Sequence, residues 1–176
     1  MSWETGSQIP RKNEYISNED LLKKKGFLEE REAKLLFYEF LRNNTTFATD
    51  LITGVQLFPF QHMAIKSMLE SDYFLGVWSR GMSKSYTTGI YAVLDAILNQ
   101  GVETGILSRS FRQSKMIFKK IEDIAAKPEA YLLKQCITHV SKSNDEWVME
   151  IGKSRIRALP LGDGEKLRGF RFHRII

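Results

Sequence analysis

An α/β fold with a mainly parallel sheet flanked by helices is predicted by three observations on this 176-residue sequence. Apolar strand-like runs at 73–78 and 103–108 alternate with long amphipathic helical patterns, the layout of a sheet covered on both faces. The first run opens into a small-residue loop, then Lys84-Ser85, then a helical pattern to Leu98. Near the C-terminus, 146–151 and 154–161 alternate apolar and polar residues around Gly152-Lys153, which signals a β-hairpin.

Taken in order, residues 1–16 are polar, lack periodicity and are expected to be mobile. Ser17-Asn18-Glu19-Asp20 caps a short helix through Leu28. A second helix over 29–43 puts Ala33, Leu36, Phe37, Phe40 and Leu41 on one face, and Asn43-Asn44-Thr45-Thr46 ends it. Such a stripe predicts packing, as a lid against the core, with an interaction arm as the alternative. From Phe60 a helix carries Ala64, Ile65, Met68 and Leu69 inward. Residues 73–78, apolar on both faces, read as a buried central strand. A helix from Lys84 to about Asn99, a strand over 103–108 and a helix over 110–126 follow. Pro128 starts a short helix in its first turn. In the hairpin, Trp147, Met149 and Ile151 face Ile156 and Ala158.

At 43% hydrophobic content the chain has enough apolar residues for one core. A net charge of +5 and an isoelectric point near 9.3 suit a polyanionic partner. Dispersed pairs such as Lys119-Lys120 read as solvated helix faces. A single cysteine, Cys136, excludes an internal disulfide and suits a reducing cytosol. No run is apolar and long enough to span a bilayer, and no secretory leader is seen. His62, His139 and His173 lack metal-ligand spacing.

The chemistry concentrates in Phe74-Leu75-Gly76-Val77-Trp78-Ser79-Arg80-Gly81-Met82-Ser83-Lys84-Ser85. Strand, loop, Lys-Ser and helix, in that order, form a phosphate-binding P-loop. Backbone N–H groups of the loop and helix start converge on an anion. Lys84 would place its ammonium on the β/γ-phosphates of ATP, and Ser85 would offer its hydroxyl to Mg²⁺. The candidate nucleotide-binding residues are Ser79, Arg80, Gly81, Met82, Ser83, Lys84, Ser85 and Tyr86. Trp78 and Ser83 stand where the two glycines of G-x-x-x-x-G-K-[ST] belong. If the position of Ser83 requires a positive φ, a residue with a side chain costs roughly 1–2 kcal/mol there. Upstream, Leu57-Phe58-Pro59-Phe60-Gln61 leads into a helix, and the Gln61 amide has the donors and acceptor to pair with adenine. Arg109 and Arg112 follow the second strand, either as solvated loop arginines or as contacts to DNA or a neighbouring subunit.

Together these motifs resemble the ATPase domain of the large terminase subunit, the DNA-packaging motor of tailed phages, over roughly residues 45–176. That family's Walker A motif often begins Ser-Arg, as Ser79-Arg80 does here. A glutamine that recognises adenine precedes it, as Gln61 does. Leu-Arg-Gly, here Leu167-Arg168-Gly169, commonly stands just before the Walker B strand. The resemblance implies a P-loop NTPase-like fold, with residues 1–55 as polar tail and helical lead-in and 56–176 as a partial P-loop ATPase domain. It also implies ATP and Mg²⁺ as cofactors and double-stranded DNA, portal protein and small terminase subunit as partners. A homo-oligomeric ring in the host cytoplasm, docked transiently on the procapsid, goes with these. Arg80 would act with Lys84 in catalysis, as an arginine finger in cis.

Arg174-Ile175-Ile176 reads as the start of the Walker B run, ahead of its Asp-Glu pair. The family's nuclease domain is not in the sequence. The expectation is therefore an incomplete domain, close to inactive alone, whose complete protein is an ATPase; Asp163 and Glu165 are the acidic residues nearest the missing pair. A helicase-like P-loop translocase and a non-hydrolysing binding module with a degenerate loop are the alternatives.

Overall fold

The computed structural model describes residues 30–162, 164 and 167–176. The expected helix through Leu28, Asp163 and Glu165 lie outside these. The chain divides into two units, Met1–Phe37 and Tyr38–Ile176; the first described helix starts in the first unit and ends in the second.

Helix α1 spans Glu30–Asn43 and α2 spans Thr45–Thr53. Asn44 breaks the first helix as expected, but Thr45 and Thr46, expected to belong to its end, open a second helix at once. Thr45, Thr49 and Thr53 recur every four residues and are buried with Ala48 and Ile52. The Thr49 hydroxyl donates to the Thr45 carbonyl at 2.8 Å and that of Thr53 to the Thr49 carbonyl at 2.7 Å. Threonine hydroxyls satisfied in this way enter a core, so a polar-looking run hides an inward face. The stripe on α1 behaves in the opposite way. Ala33, Leu36, Phe37 and Phe40 are exposed, and of that set Leu41 alone is buried.

Helix α3 runs Pro59–Glu70, α4 Lys84–Leu98, β1 Glu103–Ser108 and α5 Phe111–Ala125. A 3-10 turn at Pro128–Ala130 leads into α6, Tyr131–Cys136. Strands β2 (Ile137–Lys142), β3 (Trp147–Ile151), β4 (Ser154–Pro160) and β5 (Arg174–Ile175) follow. Gly152, at φ 57°, makes the turn of the β3–β4 hairpin. Strand β2 went unforeseen. Its residues are largely exposed, so it lacks the half-buried alternation that marks a strand, and pairing with β3 holds it.

The sheet is open, in the order β2-β3-β4-β1-β5. β1 pairs in parallel with both β4 and β5, whereas β2–β3 and β3–β4 are antiparallel. It is therefore mixed, not mainly parallel, because β4 closes a hairpin on one side and a crossover on the other. Helix α4 is the spine of the core, with Ile90 through Leu98 buried along its whole second half. Asp95 on it is buried; its Oδ1 accepts from Asn99 Nδ2 at 2.8 Å, and Oδ2 lies 3.7 Å from Arg174 Nε of β5. On β4, Arg157 pairs with Glu103 and Glu146. Burial disfavours its charge, but Glu146 and Glu103 more than restore it, so its pKa is raised.

The largest departure from expectation is 73–78. It belongs to no strand, and no backbone–backbone hydrogen bond joins it to another described residue. Tyr73 (96%), Leu75 (89%) and Val77 (90%) stand in solvent, while Trp78 turns inward to meet Phe60 edge-on at 6.2 Å. A central strand needs partners on both edges, and none of the five described strands pairs with this segment. No helix among the described residues is long and apolar enough to cross a membrane.

Candidate functional site

Helix α4 places the loop. Its C-terminus is tied to the start of β4, where the Ser154 hydroxyl donates to the Ala96 carbonyl at 2.8 Å and accepts from Gly101 N–H at 2.9 Å. The short turn 99–102 then enters β1. Fifteen residues of helix cover about 22 Å. That is close to the span of a six-residue strand, about 20 Å. Lys84, at the other end of α4, thus emerges at the carboxyl end of β1 and β4, where open α/β sheets take ligands.

Ser79 to Ser83 form a tight, exposed loop, with Met82 N–H donating to the Ser79 carbonyl at 3.4 Å. Gly81 has φ 89°. Ser83 caps α4 with φ 53° and ψ 31°, the left-handed region, and is the one non-glycine residue with positive φ among those described. Its hydroxyl makes no capping bond, while its carbonyl accepts from Tyr86 N–H at 3.1 Å and Thr87 N–H at 3.0 Å. A glycine conformation is held here by a residue that incurs a steric penalty for it. Ser83→Gly should therefore stabilise the protein by about 1 kcal/mol, since no capping bond is lost. Thermal melting reads this out, and a lower melting temperature would show that the serine side chain holds the loop.

The backbone N–H groups of Ser83, Lys84 and Ser85 have no acceptor among the described residues. The Ser85 hydroxyl and Arg80 guanidinium likewise bond to none of them. Lys84 Nζ donates to the Trp78 carbonyl at 3.3 Å, a long bond at an exposed site. Donors at a helix start, a lysine on a weak internal bond and an uncommitted hydroxyl suit a polyphosphate with its divalent cation.

Gln61 lies alongside but faces inward. It is 4% exposed; Oε1 accepts from Phe58 N–H at 2.9 Å, and Nε2 donates to Thr87 Oγ1 at 3.0 Å. Its amide thus closes the start of α3 and fastens it to the first turn of α4. The sequence signal for this was Gln three residues after Phe58, at the N3 position, from which a glutamine side chain reaches back to the N-cap N–H. Tyr86 is half-buried beside the loop, with Lys127 Nζ 6.0 Å from its ring. Arg109 and Arg112 sit exposed beyond β1, at the start of α5.

No protein-family model and no curated protein matches the chain. The site stands on its own geometry.

A cleft of about 560 Å³ adjoins the loop. Lys84, Thr88 and Tyr91 of α4 form one wall, residues within 71–78 another, and Phe172 to Ile176 a third. Sequence reasoning had not singled out Tyr91. Burial, then Asp95, push its hydroxyl above the ordinary tyrosine value, against an opposing pull from Arg174.

Proposed function

We propose that this chain is the ATP-binding part of a viral DNA-packaging motor of the large-terminase kind, coupling ATP hydrolysis to movement of double-stranded DNA into a procapsid. One observation carries the reading: Ser83 is held in a glycine conformation directly before Lys84. Strain of that kind persists where surrounding structure imposes it for a purpose, and a P-loop needs this turn so that successive N–H groups face a phosphate. The motifs Ser79-Arg80 and Leu167-Arg168-Gly169 support the terminase kind over other P-loop ATPases.

In this reading Lys84 neutralises charge on the β/γ-phosphates, and the N–H groups of Ser83 to Ser85 orient them. Ser85 would hold Mg²⁺, which when bound offsets charge on the same oxygens. Arg80, exposed and without an ion pair among the described residues, has the planar donors to grip γ-phosphate oxygens in the transition state. In the conformation described Gln61 fixes the first turn of α4, and it reads adenine only once Phe58 and Thr87 release its amide. Portal protein, small terminase subunit and a ring of copies belong to the same proposal.

Calorimetric titration with MgATP tests the reading; saturable binding that needs Mg²⁺ supports it, and no heat at millimolar nucleotide sinks it. Arg80→Ala, under conditions where the protein hydrolyses ATP, should lower kcat by about 10³-fold with nucleotide affinity changed far less. Weak binding with normal turnover at saturation would make Arg80 a ground-state ligand instead.

A further inference from the structure

We propose that the face of α5 bearing Arg112, Lys115 and Lys119, extended by Lys142 of β2, is the surface on which the phosphate backbone of double-stranded DNA docks. Three ammonium groups gather around one indole. Lys115, Lys119 and Lys142 place Nζ at 4.8, 5.9 and 4.7 Å from the Trp147 ring, and Lys115 is also 3.9 Å from that of Phe111. Cations lying over aromatic rings are common and usually mean packing. Charge balance separates this face from that case. The carboxylates of α5 and β3 are all paired with cations other than Arg112, Lys115 and Lys119: Glu122 offsets Lys142 at the margin of the face at 2.7 Å, Asp123 pairs with Lys120 at 3.4 Å, and Glu150 with Arg155 at 3.0 Å. Glu103 and Glu146 are both taken by Arg157. Arg112, Lys115 and Lys119 form no ion pair with a described residue.

Spacing and rigidity point to phosphates. Residues 112, 115 and 119 share one helix face, with rises of about 4.5 and 6 Å between them. The Lys115 and Lys119 ammonium groups lie over aromatic rings, which partly orders them before any partner arrives. The rings themselves are not platforms for bases. Trp147 meets Phe118 and Phe111 edge-on at 5.6 and 6.4 Å, and lysines cover the rest. Single-stranded nucleic acid is held largely by stacking on open aromatic faces. A cationic track over closed rings suits a duplex backbone. The choice of DNA rests on the packaging reading; the charge and ring geometry do not.

The test is fluorescence anisotropy with a short labelled DNA duplex, and a single strand with the same number of phosphates, over a salt series. Arg112→Gln/Lys115→Gln/Lys119→Gln should weaken duplex binding at least about 10-fold and reduce the log–log salt slope by about 2 to 3. A charge-matched control, Lys66→Gln/Lys134→Gln/Lys153→Gln, should stay within about twofold. Near-ultraviolet circular dichroism checks the Trp147 environment; if the triple variant is misfolded, Lys119→Gln alone should lower the slope by about 1. Equal losses in both triple variants, tighter binding of the single strand, or no duplex binding at about 100 µM protein in low salt would overturn the proposal. Loss of ATP binding with duplex docking intact would strike the loop reading and leave this surface standing.

Discussion

Lys84→Ala is expected to abolish Mg²⁺-dependent nucleotide binding, weakening it at least about 100-fold, or roughly 3 kcal/mol, as charged hydrogen bonds to phosphate are lost. Stability should barely move. The side chain is exposed and its one bond within the described residues, to the Trp78 carbonyl, is 3.3 Å long. Surface substitutions of this kind usually fall within about 0.5 kcal/mol. Calorimetric titration alongside thermal melting separates the two quantities. Unchanged nucleotide affinity with an intact fold would remove the phosphate-loop assignment, whatever the loop resembles.

Gly54→Ala is expected to have the largest effect on stability. Gly54 follows α2 at φ 62°, and its N–H donates to the Asp50 carbonyl at 2.9 Å, a left-handed helix cap. A methyl group there would lie 2.4 Å from Glu129 Cβ and 2.6 Å from its carbonyl oxygen. The left-handed backbone costs an L-residue about 1–2 kcal/mol, and displacing the 3-10 turn about 1–3 kcal/mol more. A loss of about 2–5 kcal/mol follows, which is large against the usual stability of a domain. Gly101→Ala provides the comparison, since Gly101 has φ 90° and a methyl group added there would meet nothing within 4 Å. It should lose the backbone penalty alone. Urea midpoints at unchanged m-value measure both, and equal losses would mean that the Glu129 turn gives way freely.

Strand β1 and the β3–β4 hairpin were legible because their alternation and turn residue act within a few positions. The start of α4 at Lys84 was legible for the same reason. The possible strain at Ser83 could also be posed from sequence, because a glycine position filled by serine raises the question of φ directly. The structure answers it with φ 53°. Gln61 shows the limit. Its place before the loop was visible, but its engagement with Thr87 joins residues 26 apart in sequence, and no local pattern announces it. The threonine face of α2 was hidden because hydroxyls satisfied by their own helix do not look apolar.

What the sequence determined by itself is local: where helices start and stop, which residues turn, and the order strand-like run, loop, lysine, helix. Tertiary structure alone decided which strands pair. It made the sheet mixed by giving β4 antiparallel and parallel neighbours, and it left Tyr73, Leu75 and Val77 uncovered. It also decided that Arg112, Lys115 and Lys119 keep their charge uncompensated while nearby carboxylates serve other cations. The physical reason is range. Dihedral preferences and hydrophobic periodicity act over a turn or a few residues, whereas pairing, burial and charge balance depend on what folding brings across from elsewhere in the chain.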